Sequence, residues 1–102
     1  ALRMANTLLH PAIVDFAETV FQSRGLDLQI EEIAVEKTSK LVDQTLKESN
    51  LRGDFGVIIA AIKQPSGKMV FNPSANEKIE VGDKLVALGK RDGLDKLEKT
   101  AH

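Results

Sequence analysis

Cysteine, tryptophan and tyrosine are all absent from this chain of 102 residues. Without thiols the chain can form no disulfide framework, no thiolate zinc site and no cysteine nucleophile. The four phenylalanines are its only aromatic residues, which disfavours a stacking platform for bases or sugars. Two histidines leave little material for metal binding or acid–base chemistry. The composition therefore argues against an enzyme before any motif is considered.

Strong charge and long apolar runs are missing as well. Fourteen basic and fifteen acidic residues give a net charge of -1, so we expect no nucleic-acid partner. No apolar run approaches the ~20 residues that span a bilayer, and no secretory signal is visible. The hydrophobic share of 42% and the charged share of 28% are typical of one compact domain. Together with the absence of cysteine, these features favour a cytoplasmic protein.

The first 24 residues carry only four charged side chains and many large apolar ones. Their spacing predicts two short helices, at about 2–9 and 11–23, that meet at Pro11, and Gly25 ends the second. Helices this apolar must pack on the rest of the domain, on a neighbouring domain or on a second copy. The residues that we expect at a dimer interface are Leu8, Leu9, Ile13, Val20 and Phe21.

After residue 27 the pattern becomes that of strands. Apolar residues alternate from Leu28 to Val35, but the phase slips at Glu31–Glu32, which predicts either a β-bulge or the true start of the strand there. The run Phe55–Lys63 is continuously apolar and is expected to be a strand that is covered on both faces. Further strands are predicted at Met69–Phe71, after a turn, and at Lys84–Gly89.

Two more helices complete the predicted order. Asp43 is expected to cap a short helix from Gln44 to Ser49, with Leu46 turned inward. Asp92 is expected to cap a last helix. Helices and strands mix without regular βαβ units, which favours an α+β fold with a small, mainly antiparallel sheet behind an N-terminal helix-bend-helix.

An ordered set of short segments in this sequence resembles the TrkA-C domain, the C-terminal half of the RCK unit that regulates potassium conductance. The resemblance covers about residues 28–97, and Leu2–Phe16 (LRMANTLLHPAIVDF) is similar to the crossover helices that precede this domain. It divides the chain into crossover helices, 1–24, and a ligand-sensing domain, 25–102. The segments are Ser39-Lys40-Leu41-Val42, Thr45-Leu46, Asn50-Leu51-Arg52, Phe55-Gly56-Val57, Pro73, Ile79–Leu85 and Leu88-Gly89.

The resemblance implies a dimeric, cytoplasmic regulatory domain of a potassium channel or potassium transporter. Its partners would be a second copy, an upstream Rossmann-type half and a membrane pore subunit. Several family members bind cyclic di-AMP in a groove between two such domains, and others answer to a divalent cation; no resident cofactor is expected. By position in the family, the ligand-binding candidates here are Leu46, Lys47, Asn50, Arg52, Phe55 and Pro73.

Alternatives stand beside these expectations. Arg52 could instead form a surface ion pair with Asp54 or Glu48, and Leu46 and Phe55 could simply pack in the core. The acidic residues Glu31, Glu32 and Glu36 could bind a divalent cation, but neighbours on a strand point to opposite faces, so no metal site is predicted. The competing function is a ligand-binding regulatory module of another transporter class or of a transcription regulator.

Overall fold

The computed structural model describes residues 10–102. In this part of the chain four strands form one sheet in the order β1-β4-β2-β3, and every neighbouring pair is antiparallel. The predicted α+β fold with a mainly antiparallel sheet is therefore confirmed. The elements are α1 (Pro11–Ser23), β1 (Gln29–Ala34), α2 (Leu46–Ser49), α3 (Leu51–Phe55), β2 (Ile58–Lys63), β3 (Met69–Phe71), β4 (Lys84–Gly89) and α4 (Arg91–Ala101).

Helix α1 has the bounds that the sequence predicts. Pro11 occupies its first turn, the Nδ1 atom of His10 accepts a hydrogen bond from the Ala12 N–H, and Gly25 follows the C-cap with a φ of 72°. A side-chain contact holds α1 to the sheet, since the Ile30 N–H donates to Glu18 Oε2 at 3.0 Å. The predicted helix at 2–9 lies outside the described residues, so the full helix-bend-helix stays a prediction.

The core lies on one face of the sheet. Helix α4 packs there with its apolar stripe, and α3 and the loop before α2 complete the cover. The fully buried members of this cluster include Ile62 of β2, Leu85 of β4, Ile79, and Leu94 and Leu97 of α4.

Strand β1 contains no bulge and begins at Gln29, before Glu31–Glu32, so both alternatives predicted for this position are wrong. It pairs with β4 without a register shift from Gln29 opposite Gly89 to Ala34 opposite Lys84. The alternation appeared to slip because Glu31, a charged residue, occupies a position on the core face, where it is 6% exposed. Arg91 at the start of α4 binds the Glu31 carboxylate, which makes this burial tolerable. The irregularity in the sheet lies in β2 instead, between Ile59 and Ala61.

The prediction of a strand over Phe55–Lys63 is wrong at its beginning. Phe55 ends helix α3, Gly56 turns the chain with a φ of 68°, and β2 begins at Ile58. The expected cover on both faces is wrong as well, because Ile58 is 48% exposed while Ile62 is buried. The core cluster covers the face of β2 that carries Ile62 and leaves Ile58 open.

Both predicted aspartate caps are wrong. Asp43 adopts a left-handed φ of 67°, and Thr45 caps α2 by accepting from the Glu48 N–H while Glu48 accepts from the Thr45 N–H. The hydrogen bond from the Thr45 N–H to the Glu48 carboxylate, followed by one from the Thr45 side chain, lowers the pKa of Glu48. Asp92 lies inside the first turn of α4 and bonds the Gly93 N–H, where its charge still favours the helix N-terminus.

Asp83, in the turn before β4, is a second acidic residue that the fold buries. It is 1% exposed; its Oδ2 accepts from the Glu80 N–H at 2.9 Å, and its Oδ1 has no partner in the described part of the chain. Burial raises the pKa of Asp83 above its ordinary value. Folding therefore shifts the protonation equilibrium of Asp83 toward the neutral carboxyl relative to the unfolded chain.

We expect Arg91→Met to lower the free energy of unfolding, because the buried Glu31 carboxylate would lose its countercharge. The loss should be about 2 kcal/mol, below the ~3–5 kcal/mol typical of a buried pair, since the Arg91 side chain is 37% exposed. Urea unfolding measures the change, and Lys90→Met, at the exposed neighbouring position, is the control. Adding Glu31→Leu should restore most of the stability; a single variant as stable as the wild type contradicts the assignment.

We expect the stability of the wild type relative to Asp83→Asn to depend on pH. Because the folded pKa is raised, the contribution of Asp83 to stability is fully present below the unfolded pKa near 3.8 and is lost as the pH rises through the folded value. The difference in free energy of unfolding should therefore favour the wild type more at pH 3 than at pH 7. A difference that is independent of pH, or that changes in the opposite direction, contradicts the burial argument.

Candidate functional site

A pocket of about 340 Å³ lies between the two short helices, the start of β2 and the segment that follows β3. Its size is within the range of small-molecule sites. Five of the six predicted ligand-binding residues line it together, namely Leu46, Lys47, Asn50, Arg52 and Pro73. The other lining residues are Leu51, Val57, Ile58, Ile59, Asn72 and Ala75.

Phe55 is the predicted site residue that does not line the pocket. It is half-buried and packs against the core cluster, as the core-packing alternative anticipated. Leu46 combines both roles, because it packs against the same cluster and also lines the pocket. Whether the five residues bind a ligand stays a prediction at this point.

The two walls of the pocket are tied together by main-chain hydrogen bonds between residues 43–47 and 75–79. The Asp43 N–H donates to Ile79 O and the Ile79 N–H to Gln44 O, both at 2.8 Å. At the start of α2, the Leu46 N–H donates to Glu77 O at 3.0 Å and the Lys47 N–H to Ala75 O at 2.9 Å. We call this set of bonds the loop clamp. It fixes the segment that carries Pro73 and Ala75 against the helix that carries Leu46 and Lys47.

Asn50 forms the junction of the two short helices. It ends α2 and begins α3 with φ 50° and ψ 37°, a left-handed conformation that asparagine tolerates better than most residues. The Asn50 O accepts from the Asp54 N–H at 2.8 Å, which starts the second helix. The abrupt change of direction places residues of both helices on one pocket. Sequence reasoning missed α3, although Asn50 and Gly56, which bracket it, are residue types that stop helices.

The charges at the pocket are of one sign. Lys47 and Arg52 are the charged residues among those that line it, and both are exposed. The alternative in which Arg52 pairs with Glu48 or Asp54 is not observed in the described part of the chain. Glu48 bonds Thr45 instead, and Asp54 accepts from Asn50. A free guanidinium in this position suits a phosphate or a carboxylate.

The uncharged part of the lining is largely apolar, and sequence reasoning missed most of it. Ile58 and Ile59 belong to the apolar run Phe55–Lys63, for which the sequence predicts a strand that is covered on both faces and therefore has no side chain open to a ligand. Asn72, with a left-handed φ of 47°, turns the chain out of β3 and brings Pro73 over the pocket. A pocket with two cations and apolar walls can hold an anion that also carries a flat apolar group.

Three of the predicted dimer-interface residues lie on helix α1. Ile13 is 64% exposed and Val20 is 39% exposed, whereas Phe21 is half-buried. Phe16, which was not predicted, is 71% exposed on the same side of α1. Leu8 and Leu9 lie outside the described residues.

The acidic residues considered for a divalent cation do not converge. Glu31 binds Arg91 in the core, while Glu36 Oε2 lies 3.6 Å from His102 Nε2. Across residues 10–102, no three histidine or acidic side chains come together in a way that could hold a metal ion. In the same residues no helix is long and apolar enough to cross a membrane.

Comparison with known proteins gives two informative relatives. The chain is 31% identical over 101 residues to the probable potassium channel protein 2 of Methanocaldococcus jannaschii, which covers 95% of this chain and 29% of the relative. It is 39% identical over 94 residues to the K(+)/H(+) antiporter subunit KhtT of Bacillus subtilis, which covers 92% of this chain and 54% of that subunit. The chain therefore spans about half or less of the length of these relatives.

Solved structures show the same fold. The RCK C domain of the potassium transport protein KtrA, in complex with cyclic di-AMP, matches 86% of this chain and 94% of its own, with a TM-score of 0.67 and 25% identity. The RCK_C domain dimer of S. agalactiae BusR, in complex with the same nucleotide, matches 69% of this chain and 91% of its own, with a TM-score of 0.64 and 27% identity.

A longer BusR chain, solved in complex with busAB-promoter DNA, matches 88% of this chain and 45% of its own, with a TM-score of 0.66 and 23% identity. This last similarity concerns the fold alone. It weakens the expectation that no nucleic acid is a partner, since a domain of this fold occurs in a DNA-bound protein.

The sequence profile of the TrkA-C domain matches residues 30–102, well over half of the chain. The fold, the relatives and this match agree with the resemblance that the sequence segments carry. The chain therefore belongs to the TrkA-C domain family, whose members are regulatory RCK_C domains of potassium channels and transporters and are not enzymes.

Proposed function

We propose that this chain is a cytoplasmic, ligand-sensing domain that binds a cyclic dinucleotide and regulates a potassium channel or transporter. The observation that carries the proposal is the pocket in which Lys47 and Arg52 stand beside Leu46, Ile58 and Pro73. A cyclic dinucleotide has phosphates that suit the two cations and flat bases that suit the apolar walls. The complexes of KtrA and BusR with cyclic di-AMP support this ligand class.

Arg52 is the residue that we assign to the phosphate. Its guanidinium presents a planar set of N–H donors that matches two phosphate oxygens, and no ion pair within the described residues competes for it. Lys47, on the preceding helix, adds a second positive charge. Leu46, Ile58 and Pro73 offer the apolar surface for a base.

A second copy of the chain completes the proposed site. Cyclic di-AMP consists of two equal halves, so a two-fold dimer can offer each half the same pocket residues. The exposed apolar side chains of α1, Ile13, Phe16 and Val20, supply a surface that a second copy would cover. The BusR domain dimer with bound cyclic di-AMP supports this arrangement.

Regulation would then be mechanical. The ligand bridges two copies and favours one relative orientation, and the crossover helices at 1–24 transmit it to an upstream Rossmann-type half and to a pore subunit. A ligand can shift such an equilibrium only by the difference between its affinities for the two arrangements, typically ~1–3 kcal/mol. The channel and antiporter relatives support a potassium-transporting parent.

A transcription regulator or another transporter class is the second candidate for the parent protein. The reason to consider a transcription regulator is the match to BusR in complex with promoter DNA. In that case the same pocket would sense the ligand, and a DNA-binding domain would replace the pore. The identity of the domain next to this chain in the parent protein would distinguish a potassium channel or transporter from this second candidate.

We expect isothermal titration with cyclic di-AMP to give a Kd in the micromolar range or tighter. Arg52→Ala should weaken binding about tenfold to hundredfold, because a charge-assisted hydrogen-bond pair to phosphate is lost. Arg24→Ala removes an exposed arginine that does not line the pocket and should leave the Kd unchanged. Equal losses in both variants, or no heat from the wild type, contradict the assigned site.

We also expect the domain to sediment as a dimer at concentrations of tens of micromolar. Ile13→Asp should shift it toward monomer, because a carboxylate would be buried on the apolar side of α1. Ile13 lies in the first helical turn, where an acidic residue favours the helix, so folding should be preserved. Gln22→Asp, on the opposite side of α1, is the control. A monomeric wild type contradicts the proposed dimer.

A further inference from the structure

The side chain of Asn50 is held in one orientation at the wall of the pocket. Its Nδ2 atom donates to Asp54 Oδ1 at 3.0 Å, four residues further along the chain. An ionised carboxylate only accepts hydrogen bonds, so it binds the NH₂ end of the amide and rejects the carbonyl end. The amide therefore has a fixed direction, with its second N–H and its Oδ1 still available.

Gly53 makes this orientation sterically feasible. A Cβ atom at position 53 would lie 2.6 Å from Asn50 Oδ1 and 2.9 Å from Nδ2. The Asn50 amide thus lies against Gly53, in the space that the Cβ atom of any other residue would occupy. Neither Gly53 nor Asp54 lines the pocket. Both contact Asn50, which does line it.

The direction of an asparagine amide decides which base edge it recognises. Adenine presents a donor, N6, beside an acceptor, N7, and an asparagine satisfies both with its Oδ1 and one N–H. Guanine presents two acceptors, O6 and N7, which the same amide cannot satisfy. An amide that is free to rotate can instead turn its NH₂ group toward a guanine acceptor, which weakens the discrimination.

We propose that Asp54 is a positioning residue, which orients the Asn50 amide so that the pocket prefers adenine over guanine in a cyclic dinucleotide. This inference rests on the proposed function, since it concerns the selectivity of the same pocket. Gly53 has the supporting role of leaving room for the amide.

The test compares the affinities for cyclic di-AMP and cyclic di-GMP in the wild type and four variants. Asp54→Ala removes the acceptor and should weaken cyclic di-AMP binding roughly three- to tenfold, so that the preference over cyclic di-GMP falls by the same factor. Asp54→Asn keeps an acceptor oxygen and should rescue most of the preference. Asn50→Gly keeps the left-handed backbone without the amide, and in that background Asp54→Ala should have no further effect.

Gly53→Ala gives a second route to the same result. The new methyl group should displace the amide and reduce the preference for cyclic di-AMP, while alanine favours the helix, so the protein should stay at least as stable. If Asp54 acts only as a negative charge near an anionic ligand, both Asp54→Ala and Asp54→Asn would bind more tightly. That outcome, or an unchanged preference in Asp54→Ala, overturns the inference.

The orientation itself can be measured without ligand. The side-chain amide resonances of Asn50 in a ¹H–¹⁵N spectrum should shift in Asp54→Ala and stay near the wild-type position in Asp54→Asn. If the wild type binds neither dinucleotide, the proposed function and the selectivity fail together, and the spectrum still decides whether Asp54 orients Asn50. If the wild type binds both equally and Asp54→Ala changes nothing, only the selectivity is refuted.

Discussion

The loop clamp is the constraint on which the candidate site depends. Helix α2 has four residues and could not persist alone, so its position is set by the bonds from residues 43–47 to 75–79 and by the packing of Leu46 on the core. The clamp ends at the buried Ile79, and from there the chain continues through the turn at Asp83 into β4. Strand β4 pairs with both β1 and β2. A ligand that contacts α2 and Pro73 therefore binds two segments that the loop clamp connects to the sheet.

The parts of the structure that follow from local patterns could be predicted from the sequence. Pro11 and Gly25 delimit α1, and the turns before β3 and β4 separate short apolar segments. The site residues are a different case. Their grouping came from the resemblance to the TrkA-C family, and the structure then brings Leu46, Lys47, Asn50, Arg52 and Pro73 to one pocket.

The failures have physical causes that a single sequence does not reveal. Glu31 seemed to break a strand because its partner, Arg91, is sixty residues away, and only that ion pair makes an inward carboxylate acceptable. Asp43 looked like a helix cap, but the clamp takes its N–H and Thr45 caps α2 instead. The clamp consists of main-chain groups alone, so no side-chain pattern marks it. The apolar run after Phe55 hid a helix end, a turn at Gly56 and an exposed Ile58 that belongs to the pocket.

The central claim is that the pocket between α2, α3 and residues 72–75 is the ligand site, and a ¹H–¹⁵N titration with cyclic di-AMP tests it most directly. We expect the largest shifts of backbone amides in residues 46–52, 57–59 and 72–75, with smaller shifts along the loop clamp at 77–79. The last turn of α4, residues 98–101, does not line the pocket and should change little. Shifts concentrated in α4, or a spectrum that does not change at saturating ligand, would contradict the account.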